Sequence, residues 1–383
     1  MKKLLLAATA LLIFGGLKAQ NAHPDYLDGA MWVKLQHSSD DKIQSSIRIT
    51  EGEQKSWSMN DLPFVEQLRG YTVTSVQRPF MHVDDPTIKN VVRIEIEEIY
   101  ELEQLMANLE RSPFVEYAER VPLLRSTVTP NDPSYNPSSQ WALFQINASQ
   151  AWAYSTGNTN IKVAIVDDAV STTHSDLSPV IWTNPGEIPG NGIDDDGNGY
   201  IDDVNGWDVA DGNNNPNPPA NNWDHGTHVA GIAGAATNNG IGIASIGHNL
   251  SIIPVKATNS PSFVTHGYEG IIYSVSAGAH VINMSWGGPG SSQTAQNIIN
   301  YASNQGIVLI AAAGNDNVSS MFYPAGYNQV MAVASTTFGD SKSGFSNYGA
   351  WIDISAPGSA IYSTVPNGGY QTKQGTSMAS PMV

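Results

Sequence analysis

Ile161-Lys162-Val163-Ala164-Ile165-Val166-Asp167-Asp168 is an apolar run that ends abruptly on two carboxylates. The four residues from Val163 to Val166 leave neither face of a strand polar, so the run suits the interior of a parallel sheet covered by helices on both sides. Runs of the same kind recur at Ser251-Ile252-Ile253-Pro254-Val255, Val281-Ile282-Asn283-Met284 and Ile307-Val308-Leu309-Ile310-Ala311, with a helix-like stretch over residues 292–304 between the last two. Alternation of short apolar strands and helices across residues 131–383 predicts an α/β domain built on a doubly wound, mostly parallel sheet. Chemistry in such folds gathers at the carboxyl ends of the strands, so the residues that directly follow each run are where function is sought.

Asp167 follows its run at once. A carboxylate there can orient a histidine, bind a metal or cap a turn. Ala311-Ala312-Ala313-Gly314-Asn315 ends another run, and the Asn315 amide can donate to a tetrahedral oxyanion or simply serve a turn. Asp224-His225-Gly226-Thr227-His228-Val229-Ala230-Gly231-Ile232 reads as a close-packed helix start, with Asp224 expected to cap it and His225 in the first turn. The two histidines stand at i and i+3 without an intervening Glu, unlike the zinc helix His-Glu-x-x-His, and His228 is expected to be a packed, hydrogen-bonded core histidine. Gly375-Thr376-Ser377-Met378-Ala379-Ser380-Pro381 places Ser377 among small residues at a predicted helix start, where free N–H groups favour a developing oxyanion. The Gly-x-Ser-x-Gly elbow of the α/β-hydrolases is not met, because position 379 is Ala, and their chain order, with Ser first, fails too. An esterase or lipase is therefore disfavoured.

Upstream, Lys2 and Lys3 precede an apolar run from Leu4 to Leu17, with Ala19 as a small residue for cleavage. This is the pattern of a secretory signal peptide over residues 1–19, too short for a confident membrane span. Residues 20–126 read as a small α+β unit: strands at 31–35, 91–97 and 114–118, and a helix carrying Leu102, Leu105, Met106 and Leu109. Residues 127–383 form the third part. The charge divides along the same line. The chain has 18 basic and 35 acidic residues, yet residues 131–383 hold only 4 of the basic ones against 17 acidic. A net charge of -17 argues against nucleic acid or an anionic membrane as partner. The absence of cysteine excludes a disulfide scaffold and a thiolate zinc site.

Taken together, in the order Asp167, His225, Asn315, Ser377, the motifs resemble the subtilisin-like serine proteases, the subtilases, over residues 131–383. Asn131-Asp132-Pro133 to Gln140-Trp141, Ser285-Trp286-Gly287-Gly288, Tyr323-Pro324-Ala325, Phe345-Ser346-Asn347-Tyr348-Gly349 and Ser355-Ala356-Pro357-Gly358 running to Ile361-Tyr362-Ser363-Thr364 belong to the same likeness. The resemblance implies a serine endopeptidase acting on protein or peptide substrates. Ser377 would attack the scissile carbonyl, His225 would carry its proton to the leaving amine, and Asp167 would orient the imidazole. Asn315 and the Ser377 N–H would bind the oxyanion. Ser285-Trp286-Gly287-Gly288 would pair with extended substrate as an added strand. It further implies that the upstream unit is a propeptide, an intramolecular inhibitor and folding aid removed between about Ala118 and Pro130. The protein would then be a secreted zymogen, monomeric, with no membrane attachment after signal cleavage.

The chain departs from the family pattern in three places. Asp168 and Ala169 follow Asp167 where the family has Thr or Ser and then Gly, and Asp168 is expected to face solvent; were it to point inward, repulsion from Asp167 would raise one carboxyl pKa. Between the Asp and His motifs lies an acidic insert in which Asp194, Asp196, Asn198 and Asp202 take positions 1, 3, 5 and 9 of an EF-hand-like loop, with Asn205 at position 12 in place of the usual Glu. A structural calcium site is expected there, the alternative being a solvated acidic loop. Finally, only six residues follow Ser377, so the catalytic domain is expected to be C-terminally incomplete. The competing reading of function is a catalytically silent, calcium-stabilised secreted binding protein of the same fold.

Overall fold

The computed structural model describes residues 25–36, 62–80, 82–124 and 129–383. The expected signal segment, and residues 125–128 of the expected processing stretch, lie outside the described residues. The chain divides into two compact units, Met1–Arg125 and Ser126–Val383.

The first unit is a four-stranded antiparallel sheet in the order β2-β3-β1-β4, formed by β1 (Tyr26–Leu35), β2 (Val73–Gln77), β3 (Val91–Ile96) and β4 (Val115–Pro122). Alternation in β1 and β3 sends Met31, Val33, Leu35, Val92, Ile94 and Ile96 to one face. There they meet Leu102, Leu105, Met106 and Leu109 of α1 (Leu102–Leu109), all at helical spacing and all buried. Each such side chain contributes roughly 1.5–3 kcal/mol by leaving water. The α+β reading of this segment holds, and β2 is the strand it lacked.

The second unit carries a seven-stranded sheet in the order β11-β10-β9-β8-β5-β7-β6, parallel at every pairing. Its members are β5 (Gly157–Asp167), β6 (Trp207–Asp208), β7 (Asn249–Lys256), β8 (Val281–Met284), β9 (Val308–Ala312), β10 (Val330–Thr336) and β11 (Ile354–Pro357). The order reverses at β5, which makes the sheet doubly wound. Along β5 the side chains alternate between two cores. Val163 and Ile165 pack with Val229, Ile232 and Ile252 on the side of helix α2 (His225–Gly234). Ala164 and Val166 pack on the other side with Ile271, Tyr273 and Ile299 of α3 (Gly267–Ser276) and α4 (Gln293–Asn304). This is why the decisive run is apolar at successive positions.

Helix α2 is buried at every residue from Gly226 to Gly234. It is clasped from outside by a hairpin of β12 (Ile361–Val365) and β13 (Gly369–Lys373), whose Ser363 and Thr364 hydroxyls donate to the His228 and Thr227 carbonyls at 2.7 Å each. A Cβ on Gly231 would collide with those same two hydroxyls. The described chain closes with α5 (Thr376–Ala379) and a 3-10 turn over Ser380–Met382. No described helix is long and apolar enough to cross a membrane.

Candidate active site

The carboxyl ends of β5, β8 and β9 and the amino ends of α2 and α5 open on a cleft of about 630 Å³ whose walls include Asp167, His225, Asn315 and Ser377. Sheet topology delivers this convergence: β5, β8 and β9 are adjacent and parallel, so the residues that follow them emerge side by side.

Asp167 ends β5 and is almost wholly buried, with its Oδ1 2.8 Å from His225 Nδ1. Asp167 Oδ1 also accepts the Asp168 N–H at 2.7 Å. The His225 side chain is about one third exposed, 35%, with the cleft as its outlet. Burial pulls the imidazole pKa down, but the charge and hydrogen bond of Asp167, with Asp168 behind it, outweigh that and push it up to about 9.

Ser377 stands in the first turn of α5, mostly buried, and its hydroxyl donates to the Ser285 carbonyl at 2.9 Å. Ser285 returns the link, its own hydroxyl donating to the Ser377 carbonyl at 2.8 Å. The serine therefore shares a cleft with His225, while its hydroxyl is held by the loop after β8. Gly375, at φ 151°, sets the turn that starts α5.

Asn315 follows β9. Its Oδ1 accepts both the N–H of Thr376 (2.8 Å) and the Thr376 hydroxyl (3.0 Å). Thr376 in turn accepts the Gly314 N–H at 3.0 Å. With the oxygen end pinned, the NH2 end is left for the cleft. Thr376, a neighbour of the serine, thus braces the asparagine, a role no spacing in the sequence announced.

Trp286 Nε1 donates to the Val166 carbonyl at 2.8 Å, laying the indole under the cleft. Gly288 is doubly paired with Tyr323, N–H to carbonyl in each direction at 2.9 and 2.7 Å. Of the expected substrate-pairing residues, then, Gly288 already has a backbone partner. Trp286 and Gly287 have none among the described residues.

Two expectations at the entry to α2 are corrected. Asp168 does not face solvent: it is 4% exposed. Its Oδ1 accepts the N–H of Gly226 (2.7 Å) and of Ala169 (2.6 Å), and its Oδ2 accepts that of His225 (3.2 Å). Burial first, and then the Asp167 charge, raise its carboxyl to about 7 against the pull of the Gly226 and His225 bonds. Asp224, for its part, makes no side-chain cap. Its carboxylate is taken by Lys373 Nζ at 2.6 Å, and the open helix N–H groups go to Asp168 instead. His228 is the buried, hydrogen-bonded histidine expected, with Nε2 2.9 Å from the Gln371 carbonyl.

In the acidic insert, one oxygen each of Glu187, Asp194 and Asp196 lie within 4.8 Å of one another. Asp202 is not one of the three but adjoins them, its N–H donating to Glu187 Oε2 at 3.0 Å; its two carboxylate oxygens accept the N–H groups of Gly190, Asn191 and Gly192 at 2.8, 3.1 and 2.9 Å, tying down a turn. Asn198 sits against the cluster, its amide donating to Asp196 and Asp203 and its Oδ1 accepting from Tyr200. Glu187, seven residues before Asp194, fell outside the 12-residue loop frame that the EF-hand-like spacing supplied.

A family model described as the subtilase family matches residues 158–383. A thermophilic serine proteinase of Bacillus sp. (strain AK1) is 36% identical over 302 residues, 78% of this chain and 68% of that protein. Thermitase of Thermoactinomyces vulgaris is 43% identical over 257 residues, 67% of this chain and 82% of that one. Among solved structures, a protease from Pseudoalteromonas arctica PAMC 21717 matches at 30% identity and a TM-score of 0.55, covering 67% of this chain and 84% of that chain.

Proposed function

Because this chain belongs to the subtilase family and is a serine-type endopeptidase, we propose that it cleaves peptide bonds through Asp167, His225 and Ser377, with Asn315 as oxyanion donor. The observation that carries the reading is the 2.8 Å Asp167–His225 bond in the same cleft as Ser377 and Asn315. Asp167 accepts from Nδ1–H and so leaves Nε2 free to act as base. As substrate enters, the Ser377 hydroxyl turns from the Ser285 carbonyl to His225 Nε2, loses its proton there, and attacks the scissile carbonyl. The oxygen of the resulting tetrahedral adduct faces the Asn315 NH2 and the Ser377 N–H at the start of α5. His225 then protonates the leaving amine, and water repeats the sequence on the acyl-enzyme.

Trp286 and Gly287, with unpaired backbone groups along the cleft, would receive the substrate as an added strand. Main-chain pairing of this kind favours broad sequence tolerance. The unit upstream, residues 20–126, is proposed to be a propeptide that inhibits the catalytic unit until removed. Residues 1–19 would direct secretion, and the mature enzyme would act outside the cytoplasm as a monomer. The acidic insert is proposed to hold a structural calcium ion. Hard carboxylate oxygens suit that cation, and no Lys or Arg is paired with Glu187, Asp194 or Asp196 among the described residues.

Labelling with a fluorophosphonate tests the reading directly. Stoichiometric labelling, abolished in Ser377→Ala, is expected. A folded chain that takes up no label would instead be a silent binding protein.

A further inference from the structure

We propose that Asp168 is a positioning residue for the peptidase reaction: its buried carboxylate caps the amino terminus of α2 and so fixes the backbone of His225 against Asp167. The inference rests on the assignment of His225 and Asp167 made above.

The geometry is specific. A helix start leaves its first N–H groups without partners, and here the residue at the cap position cannot supply one. Asp224 has φ -115° and ψ -2°, and its carboxylate is engaged with Lys373. The acceptor arrives from another element instead. Asp168 takes the N–H of His225 with one oxygen and that of Gly226 with the other, so a single carboxylate spans the first two residues of the helix. Its Oδ1 also holds the Ala169 N–H, which locks the carboxylate to its own strand end. Asp167 and Asp168 are chain neighbours, so the group that orients the imidazole and the group that anchors its backbone move as one body.

Gly226 gives independent support. A Cβ there would come within 2.5 Å of the Ala169 carbonyl oxygen, 2.7 Å of Asp167 Cβ and 3.1 Å of Asp168 Oδ1. The helix therefore approaches the strand end as closely as a bare backbone permits, at the point where Asp168 caps it. The charged and titratable groups facing Asp168 are few. Asp167 lies on its own strand and His225 comes from α2. One layer out, from the hairpin side, stands the Lys373–Asp224 pair, whose lysine also acts on His225. The 216–217 loop packed beyond contributes only Pro216 and Asn217.

The test compares wild type, Asp168→Ala and the isosteric Asp168→Asn on an uncharged peptide anilide from pH 5 to 10, with active sites counted by fluorophosphonate. Asp168→Ala is expected to lower kcat about 10- to 100-fold, the scale of a displaced catalytic group, with KM within about twofold. Asp168→Asn keeps an acceptor for the helix and should recover most of that loss. Its acid limb should move to lower pH, because a negative charge that raises the His225 pKa has been removed. The limb reports the charge; the loss in kcat at constant KM and its recovery by Asn report the positioning. Wild-type kcat and an unmoved limb in both variants would overturn the proposal; so would a rise in KM alone, which would mark a substrate contact. Should neither variant fold, amide exchange in the wild type decides: the His225 and Gly226 N–H groups, held by Asp168, should exchange far more slowly than open amides, and exchange at the rate of free amides refutes the cap. Failure of wild type to label at all would strike the catalytic assignment, not this inference.

Discussion

Acid should destabilise the catalytic unit through His228, a residue outside the reaction. The ring is 0% exposed. Its Nε2 faces the Gln371 carbonyl at 2.9 Å, so the neutral Nε2–H tautomer fits. Nδ1 is buried and makes no hydrogen bond. Burial is the chief cause that lowers the pKa from 6.5 to about 4; the Gln371 carbonyl and, less, the Ile361 backbone oppose it, and the Lys373 and His225 charges add to it. The folded state thus stays unprotonated between pH 6.5 and about 4, while the unfolded chain takes up a proton. Stability from this group is complete above 6.5 and is lost as the pH falls through that window. At about 1.4 kcal/mol per pKa unit, the loss is roughly 3 kcal/mol.

The assay is urea unfolding followed by tryptophan fluorescence at pH 7, 6, 5 and 4, at fixed calcium, in a Ser377→Ala background that cannot digest itself. Other groups titrate with the opposite sign. Asp168, Asp176 and Asp203 all have raised carboxyl pKa values, with burial the leading cause, and each adds stability as the pH falls. The informative quantity is therefore the difference between this background and the same background carrying His228→Gln, which keeps a donor for Gln371 but cannot titrate. That difference should shrink by about 3 kcal/mol from pH 7 to pH 4, or roughly 6–12 °C in Tm for a unit of this size. Parallel curves for the two proteins would refute the reasoning.

Chelation should lower Tm: a cation present at a thousandfold excess over its Kd contributes about 4 kcal/mol, or roughly 8–16 °C. The double variant Asp194→Asn/Asp196→Asn should lose that dependence, and an unchanged Tm on chelation would remove calcium from the account. Asn315→Ala should reduce kcat by about 10²- to 10³-fold with little change in KM; this magnitude is carried over from oxyanion donors whose type case is a subtilisin asparagine, and steady-state kinetics on active-site-titrated enzyme checks it. Lys256 Nζ, 5% exposed, is 2.5 Å from the equally buried Asp208. Lys256→Met strands that carboxylate and should cost about 3–5 kcal/mol in urea unfolding, much of it recovered in Lys256→Met/Asp208→Leu.

What could be read from the sequence follows from how far each feature reaches along the chain. The central strands were legible because burial on both faces writes itself into consecutive residues, as in Val163 to Val166. Helix α4 was legible because its cap is local: Ser292 accepts the Ala295 N–H at 3.1 Å, three residues on. Hairpin β12–β13 was not, because its task is to cover α2, and nothing within Ile361–Lys373 states which helix it serves.

The same distinction explains the errors around the reacting groups. A local rule assigned Asp224 to the helix that begins one residue later, yet that carboxylate answers to Lys373, 149 positions away, and the helix is capped by Asp168, 57 positions before His225. Spacing likewise set the acidic loop's frame at Asp194 and so passed over Glu187, which the fold brings up to Asp194 and Asp196 from seven residues upstream. Asp224 was read correctly as an acceptor, and its donor was misjudged. Buried carboxylates go to the densest cluster of unpaired N–H groups or to a cation, wherever the fold presents one. A second Asp directly after Asp167 was thus better evidence than it looked. Two carboxylates at one buried strand end require two sets of donors, and the imidazole of His225 with the backbone that carries it provides both.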